Sequence, residues 1–318
     1  MFHFLQGKLM LEAEKTSAFI GVDWGTSSFR AWLFDRKGRV LDTVQGPFGI
    51  TQIKEQAFEK TLQIEIGGWL SEHRGIAVIM CGMIGSAQGW YEAGYLSGQI
   101  GVNELSAGTV RVPDTNLNAM IIPGVRGVSV DGHHDIVRGE ETLLAGWLQK
   151  QKDGEAVFCL PGTHSKWVVV RKGQIDQLTT FMTGELFELM QTRSILAPLI
   201  ENKAVSDTNS DIFCAGLKLA QGPAGVLHQM FAIRAGILTG QFAKSDALTL
   251  LSGLLIGAEC VAVKSLVKNK SVTLMSSGAL MRAYQNAFEH FGMVFNVADS
   301  EQSAQTGLFS IFNHIQKG

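Results

Sequence analysis

One pattern constrains the fold of this chain more than any other: the same strand–turn–strand unit occurs twice. The first turn contains Gly25-Thr26-Ser27-Ser28 and the second contains Gly162-Thr163-His164-Ser165, so both read Gly-Thr-x-Ser. In each unit the strand after the turn carries a Trp and ends at a basic-Lys-Gly turn, and a third strand follows. One such turn alone is equally well explained as the polar tip of an ordinary hairpin. Repetition of the whole unit predicts two related half-molecules.

The chemistry of the two turns predicts that they bind phosphate. Glycine lets the backbone approach a ligand closely, and the amides and hydroxyls of Gly-Thr-Ser can point at phosphate oxygens. Asp23 stands just before the first turn, and a carboxylate beside a phosphate implies a divalent cation between the two negative groups. Two facing turns could therefore clamp one polyphosphate from both sides.

The elements after the first unit predict the fold class. Residues 51–73 have the apolar spacing of a helix, and residues 75–82 form an apolar run typical of a strand buried on both faces of a parallel sheet. Three strands, a helix and another strand begin a ribonuclease-H-like unit. We therefore expect an α/β protein with two ribonuclease-H-like domains, formed by duplicated βββαβαβα units, with the active site in the cleft between them. The expected boundaries are a flexible extension over residues 1–16, a first domain over 17–152 that carries a substrate loop, and a second, nucleotide-binding domain over 153–318.

Composition narrows the function classes. The chain has 318 residues, of which 46% are hydrophobic and 18% charged, and its formal net charge is −2. This is enough apolar material for two cores, and the lack of a basic surplus argues against nucleic acid as a partner. The apolar run over 247–263 is interrupted by polar residues, so we expect no membrane-spanning segment. The four cysteines form no Cys-x-x-Cys pair, which favours reduced thiols in a cytoplasmic protein.

The glycine-rich loop that begins at Gly82 is the first candidate for binding an acceptor molecule. It follows the end of a predicted strand, where open α/β sheets place their ligands. The alternative is a structural loop whose Trp covers the core. The candidate substrate residues of this loop are Gly82, Met83, Ser86, Gln88 and Trp90.

The acid-rich segment 131–141 is the second candidate. Its pattern predicts a helix that starts at Asp135. Phosphoryl transfer needs a carboxylate that orients the acceptor hydroxyl and takes its proton; Asp135 is the first choice for this base, with Asp131 and Glu140 behind it. The alternative is that Asp135 only caps the helix. The adjacent histidines at positions 133 and 134 lack the spacing of a transition-metal site.

Two cations are available for an anionic acceptor, and a third glycine turn is available for a nucleotide. Arg30 and Arg138 could each bind a carboxylate through paired hydrogen bonds; the alternative for Arg138 is a helix-surface pair with Glu141. Near the chain's end, a strand leads through a Ser-Ser-Gly turn into a helix. Such a turn lets a flat base lie against backbone, which makes Ser277 and Gly278 candidate nucleotide contacts.

These motifs resemble those of the sugar-kinase, heat-shock and actin ATPase superfamily, in which two ribonuclease-H-like domains close over ATP. More specifically, nearly the whole chain from about residue 18 resembles the 2-dehydro-3-deoxygalactonokinase family. The stretches that carry the resemblance are Asp-Trp-Gly-Thr-Ser (23–27), Gly-Met-Ile-Gly-Ser-x-Gln-Gly-Trp (82–90), Ile-Pro-Gly-Val (122–125), Val-Arg-Gly-Glu-Glu-Thr (137–142), Pro-Gly-Thr-His-Ser-Lys-Trp (161–167), Met-Thr-Gly-Glu-Leu (182–186) and Leu-Ser-Gly-Leu-Leu-Ile-Gly-Ala-Glu (251–259).

The resemblance implies transfer of the ATP γ-phosphoryl to the 6-hydroxyl of 2-dehydro-3-deoxy-D-galactonate in galactonate breakdown. Asp23 would position Mg²⁺, Asp135 would be the base and Lys166 would add charge. The phosphate-binding residues implied are Gly25, Thr26, Ser27, Gly162, Thr163, His164 and Ser165. We expect a small-molecule sugar-acid partner and allow for a homodimer. The competing interpretations are a nucleotide-gated ATPase of the actin or heat-shock type, a kinase of another small sugar or sugar acid, and a phosphatase that acts on polyphosphate.

Overall fold

The computed structural model describes residues 17–148, 154–201, 204–205 and 207–317. Fourteen strands lie in these ranges: β1 (Ser17–Trp24), β2 (Phe29–Asp35), β3 (Val40–Gly46), β4 (Ala77–Cys81), β5 (Tyr95–Ser97), β6 (Val110–Arg111), β7 (Asn118–Ile121), β8 (Gly124–Val128), β9 (His134–Val137), β10 (Glu155–Leu160), β11 (Ser165–Arg171), β12 (Gln174–Phe181), β13 (Val272–Ser276) and β14 (Phe295–Asp299). The helices of the same ranges are α1 (Phe58–Glu72), α2 (Val102–Ala107), α3 (Glu140–Leu148), α4 (Thr183–Arg193), α5 (Asp211–Leu219), α6 (Gly225–Leu238), α7 (Ala247–Ala262), α8 (Gly278–His290) and α9 (Ser300–Ile315).

The two main sheets have matching strand orders. The first sheet has the order β3-β2-β1-β4-β7-β6 and the second has the order β12-β11-β10-β13-β14. In each sheet the hairpin strands are antiparallel, and the central strand then pairs in parallel with the next one, as β1 does with β4 and β10 with β13. This match confirms the predicted fold class, an α/β chain made of two ribonuclease-H-like halves.

The core joins the two halves rather than separating them. One cluster of buried residues contains Phe19 and Phe34 of the first sheet together with Phe158 of the second. The last helix, α9, follows the second sheet in sequence but packs on α3 and β1 of the first half. Its close approach requires glycine at position 307, because a Cβ there would lie 1.7 Å from the carbonyl oxygen of Thr142. Helix α9 thus fixes the first half against the end of the second.

A small third sheet, which the sequence did not predict, bridges the cleft. It has the order β5-β8-β9 and packs against β12 of the second half. The apolar run over residues 119–125 is divided between β7 of the first sheet and β8 of this small sheet. The predicted helix start at Asp135 is also wrong, because Asp135 lies in strand β9 and the helix begins at Glu140.

Helix α7 is a core helix. By length and composition alone, residues 244–262 could cross a membrane. The most apolar window of this segment is, however, 72% buried inside the protein, where α5 and α6 pack against it.

Of the predicted domain boundaries, the extension 1–16 and the junction at 152–153 lie outside the described residues.

Candidate active site

A cavity of about 930 Å³ opens between the two halves. Both Gly-Thr turns reach it, together with the end of β4, the segment that joins β9 to α3, and the turn from β13 into α8. Thirteen residues that the sequence singled out line it: Asp23, Gly25, Thr26, Arg30, Gly82, Met83, Arg138, Glu140, Gly162, Thr163, His164, Lys166 and Ser277. Eight others are not among its lining residues: Ser27, Ser86, Gln88, Trp90, Asp131, Asp135, Ser165 and Gly278.

The first Gly-Thr turn is held by backbone hydrogen bonds. The Gly25 amide donates to the Ser28 carbonyl at 2.9 Å, which closes the turn. The amides of Ile50 and Thr51 donate to the carbonyls of Gly25 and Thr26 at 3.0 and 3.2 Å. These bonds to Ile50 and Thr51 hold the turn carbonyls, and the exposed Thr26 lies on the cavity side.

Asp23 and Arg30 form an ion pair at the base of this turn. They lie opposite each other in the β1–β2 register, and the guanidinium Nη2 donates to Asp23 Oδ2. Burial lowers the pKa of Arg30 by desolvation, but the charge and hydrogen bond of Asp23, with smaller contributions from Cys81 and Glu301, raise the pKa above its ordinary value. Arg30, the other cation considered for the acceptor, is therefore engaged by Asp23.

The second Gly-Thr turn is one residue longer and is held differently. Residues 25–28 connect the paired Trp24 and Phe29, whereas residues 161–165 connect the paired Leu160 and Lys166. The Glu185 amide at the start of α4 donates to the Thr163 carbonyl at 2.9 Å. The Ser165 side chain is fully buried and points away from the cavity, into the second half.

Lys166 and Glu140 link the two halves across the cavity. The Lys166 Nζ donates to the His164 carbonyl at 2.7 Å and lies 3.3 Å from Glu140 Oε1. Glu140 is the first residue of α3, and its other oxygen accepts the Arg138 amide at 3.2 Å. Among the described residues that line the cavity, Asp23 and Glu140 are the only carboxylic acids.

Glu141, next to Glu140, is fully buried behind the cavity wall. It accepts the Gly139 amide at 2.6 Å and the Thr142 hydroxyl at 3.1 Å. Desolvation, with a smaller contribution from the charge of Glu140, raises the pKa of Glu141 to about 7. The start of α3 thus carries two adjacent carboxylic acids, one facing the cavity and one inside the protein.

The structure gives Asp135 other partners. Its two carboxylate oxygens accept the Thr180 amide at 2.6 Å and the Thr180 hydroxyl at 2.7 Å. Thr180 belongs to β12, so Asp135 connects the small sheet to the second half. Asp131 is exposed in the turn between β8 and β9. Their predicted roles as a base stay predictions, and neither lines the cavity.

Arg138 lines the cavity at the end of β9. Its guanidinium carbon lies 4.3 Å from the centroid of the Tyr95 ring, and Nη2 donates to the Gly94 carbonyl at 2.9 Å. Nη1 is buried without a hydrogen-bond partner. The alternative pairing with Glu141 is not formed, since that carboxylate accepts from Gly139 and Thr142.

The Gly82 loop contributes less to the cavity than the sequence predicted. Gly82 and Met83 line it. The Ser86 hydroxyl instead donates to the Met83 carbonyl at 2.7 Å and closes a turn. Gln88 is exposed, and Trp90 packs on the core of the first half. The outer part of this loop is therefore a structural loop whose Trp covers the core, which was the alternative interpretation of the sequence.

Several lining residues were not among the candidate site residues of the sequence analysis: Ser28, Gln45, Tyr95, Ile136, Ser276 and Leu280. Ser28 belongs to the Gly-Thr-x-Ser pattern, so that signal was available. Ser276 and Leu280 flank Ser277 in the predicted nucleotide turn. Tyr95 reaches the cavity through its contact with Arg138, which is distant in sequence and leaves no local pattern.

The acids of the cavity fit one kind of metal site. Among the described residues, no group of three or more His, Cys, Asp or Glu side chains could hold a metal ion. Asp23 offers one carboxylate at the end of β1, and its side chain is 15% exposed. Mg²⁺ is usually held by one or two carboxylates together with phosphate oxygens and water. The residues present therefore fit a Mg²⁺ ion shared with a polyphosphate and do not fit a transition-metal centre.

Comparison with known proteins gives a consistent result over nearly the whole chain. A family model described as 2-keto-3-deoxy-galactonokinase matches residues 23–311. The Escherichia coli (strain K12) protein named 2-dehydro-3-deoxygalactonokinase is 33% identical over 304 residues, which cover 94% of this chain and 99% of that protein. A Rhizobium meliloti (strain 1021) relative, named Probable 2-dehydro-3-deoxygalactonokinase DgoK1, is also 33% identical, over 91% of this chain and 95% of the relative.

Solved structures agree with the fold. A crystal structure described as that of a 2-dehydro-3-deoxygalactonokinase protein from Sinorhizobium meliloti matches with a TM-score of 0.85 at 33% identity, and covers 92% of this chain and 97% of that one. The activator of 2-hydroxyisocaproyl-CoA dehydratase from Clostridium difficile, solved with bound ADPNP, matches with a TM-score of 0.50 at 11% identity over 94% of this chain and 96% of its own. The second likeness concerns the fold alone.

Proposed function

This chain belongs to the 2-keto-3-deoxy-galactonokinase family and is an ATP-dependent kinase, and we propose that it phosphorylates the 6-hydroxyl of 2-dehydro-3-deoxy-D-galactonate. One observation carries the proposal: the matched region, residues 23–311, contains both Gly-Thr turns and every segment that lines the cavity between them. The product would be the 6-phosphate, an intermediate of galactonate catabolism.

In the proposed complex the polyphosphate of ATP lies between the two turns. Gly25 and Thr26 of the first turn and Gly162 and Thr163 of the second face the same cavity. The Gly25 amide donates to Ser28, so the first turn would contribute its other amides and the Thr26 hydroxyl, and the second turn its amides and the Thr163 hydroxyl. The adenosine would lie towards Ser276, Ser277 and Leu280 at the start of α8. Lys166 would supply the positive charge beside the second turn.

Asp23 is the proposed ligand of Mg²⁺, which would neutralise charge on the phosphates. Its ion pair with Arg30 fixes the position of the carboxylate at the base of the first turn. Because Arg30 donates to Oδ2, the other oxygen, Oδ1, remains for the cation or for a water molecule bound to it.

We propose Glu140, rather than Asp135, as the base. Glu140 lines the cavity, whereas Asp135 already accepts two hydrogen bonds from Thr180. In the reaction the O6–Pγ bond forms, the bond from Pγ to the bridging oxygen of ADP breaks, and the hydroxyl proton passes to Glu140. The neighbouring Lys166 keeps the carboxylate oriented before the acceptor arrives.

Arg138 is the proposed partner of the substrate carboxylate. One face of its guanidinium is covered by Tyr95 and Nη2 is held by Gly94, so the group is fixed before the substrate binds. A fixed, planar guanidinium recognises a carboxylate with little further loss of entropy.

Four free cysteines, three of them buried, support a cytoplasmic location.

A coupled assay of ADP release tests the proposal. Purified protein is incubated with ATP, with and without Mg²⁺, and with a panel of 3-deoxy-2-keto sugar acids that includes the galactonate- and gluconate-derived epimers. We expect Mg²⁺-dependent turnover that is fastest on 2-dehydro-3-deoxy-D-galactonate. Faster turnover on the gluconate-derived epimer would contradict the substrate assignment, and absence of turnover on every ketodeoxy acid would overturn the proposal.

A further inference from the structure

A buried glutamate in α7 collects the elements that surround the second Gly-Thr turn. Glu259 is 1% exposed and accepts four hydrogen bonds. Ser165 Oγ and Trp167 Nε1 each donate to Oε2 at 2.9 Å. Tyr284 OH donates to Oε1 at 2.7 Å, and Thr183 Oγ1 donates to the same oxygen.

The four donors account for the whole hydrogen-bonding capacity of a carboxylate, which has about four lone-pair sites. None of them carries a charge. Desolvation raises the pKa of Glu259 above its ordinary value, and the bonds from Thr183, Trp167, Tyr284 and Ser165 act against this. An unpaired buried carboxylate is costly, so the structure retains this group only with all four donors in position.

Each donor belongs to an element that faces the proposed ATP site. Ser165 ends the second turn and Trp167 follows it in β11. Thr183 begins α4, whose next residue lies so close to the turn that a Cβ at Gly184 would be 2.5 Å from the Gly162 carbonyl. Tyr284 belongs to α8, the helix that begins beside Ser277.

The sequence had assigned another role to one of these groups. Ser165 was expected to contact phosphate, but its side chain is buried and donates to Glu259. Thr183 is the first residue of α4, but its hydroxyl donates to Glu259, and the residue at the cap position, Met182, forms no side-chain cap. Both hydroxyls therefore serve the buried carboxylate.

We propose that Glu259 is a positioning residue for ATP: it holds the second phosphate turn, the start of α4 and helix α8 in one arrangement. This inference rests on the proposed function, because it assumes that the turn binds the phosphates of ATP. Glu259 itself lies behind the turn and does not line the cavity. Its loss is expected to weaken ATP binding, while the chemical step and the binding of the sugar acid are kept.

The test compares Glu259→Gln with variants that each remove one donor, Tyr284→Phe and Thr183→Val. The glutamine has nearly the same volume but cannot accept all four bonds. Binding of a non-hydrolysable ATP analogue is measured by calorimetry without acceptor, and kcat and both KM values are measured in the coupled assay. The matched control is Glu104→Gln, which removes a carboxylate that accepts the Gly101 amide at 2.8 Å in α2, away from the cavity.

For Glu259→Gln we expect a rise in the Kd of the analogue and the KM of ATP of roughly tenfold or more, because glutamine cannot accept all four bonds and the second turn loses its fixed position. The KM of the sugar acid and kcat at saturating ATP are expected to stay within about threefold of the parent. If Glu259→Gln does not fold, as judged by thermal unfolding, the two donor variants decide, with a smaller change in the same direction.

Two results would overturn the inference: unchanged analogue affinity in the folded variants, or an equal loss of kcat and of affinity for both substrates. The outcome is separate from that of the proposed function. If the parent protein binds the analogue but phosphorylates no ketodeoxy acid, the proposed substrate is wrong while the role of Glu259 can still be measured.

Discussion

The two Gly-Thr turns have the same origin in the sequence but are supported in different ways. Backbone bonds from Ile50 and Thr51 hold the first turn, and its charged neighbours, Asp23 and Arg30, face the cavity. The second turn is held from behind by uncharged donors that converge on the buried Glu259. The repeat therefore preserves the shape of a phosphate-binding turn, while each half has its own means of fixing it.

This difference indicates a division of roles. The first half contributes Asp23, Arg30, Arg138 and Glu140 to the cavity, which are the groups that a reaction on an anionic substrate needs. From the second half, the charged or titratable lining residues are His164 and Lys166, and its remaining contribution is backbone and small side chains. We therefore expect changes in the first half to alter the chemical step and changes in the second half to alter ATP affinity.

The largest expected effect comes from the proposed base. Glu140→Gln removes the proton acceptor but keeps the shape of the side chain, and we expect kcat to fall by about 10²- to 10⁴-fold, as for general bases elsewhere. Binding of an ATP analogue should change little. The measurement is kcat in the coupled assay, together with calorimetry of the analogue.

Asp135→Asn is the matched control for that prediction. Its amide oxygen can still accept one bond from Thr180, so we expect a loss of activity below about tenfold, in line with the net worth of a neutral hydrogen bond. A larger loss of kcat in Asp135→Asn than in Glu140→Gln would return the base to Asp135 and contradict our assignment.

Two glycine substitutions compare the turns directly. A Cβ at Gly49 would lie 2.3 Å from backbone atoms of Ser27, and a Cβ at Gly184 would lie 2.5 Å from the carbonyl of Gly162. Relieving such overlap costs about 1–3 kcal/mol, and in each case it displaces one turn. We expect kcat to fall more in Gly49→Ala than in Gly184→Ala, and the KM of ATP to rise more in Gly184→Ala than in Gly49→Ala.

Gly68→Ala is the control for these two variants. Gly68 lies inside α1, and nothing stands within 4 Å of a Cβ added there. Alanine should therefore raise the free energy of unfolding by about 0.5–1 kcal/mol and leave both kinetic constants unchanged. If Gly49→Ala and Gly184→Ala shift kcat and the KM of ATP in the same proportion, the proposed division between the halves is wrong.

The sequence predicted those features of the fold and the cavity that local residue patterns determine. The repeated turns, the strands around them and thirteen lining residues follow from the local sequence and from the family resemblance that it carries. The positions of Asp135 and Ser165 did not follow, because their partners, Thr180 and Glu259, lie 45 and 94 residues away. The local sequence around Asp135 fits a helix start and a strand that contacts the other half equally well. Only the tertiary contacts distinguish the two.

The two buried glutamates, one in each half, extend the comparison to pH. Glu259 has four donors, whereas Glu141 has fewer and stands beside a second acid, Glu140. Because burial and that neighbour raise the pKa of Glu141 to about 7 from an ordinary 4.5, the folded protein binds a proton that the unfolded chain has lost between these two pH values. The contribution of Glu141 to stability is therefore fully present below pH 4.5 and is lost as the pH rises through 7.

Glu141→Gln isolates this contribution, because glutamine stays neutral and its carbonyl oxygen can still accept the Gly139 amide. We expect the free energy of unfolding of the parent to fall, relative to the variant, by at most about 3 kcal/mol between pH 5 and pH 8. Urea unfolding at the two pH values measures the difference. Carboxylates with lowered pKa values, such as Asp35 and Glu155, give the opposite slope in both proteins and cancel in the comparison. Parallel pH profiles of parent and variant would mean that the pKa of Glu141 is the same in the folded and the unfolded chain, and would contradict this prediction.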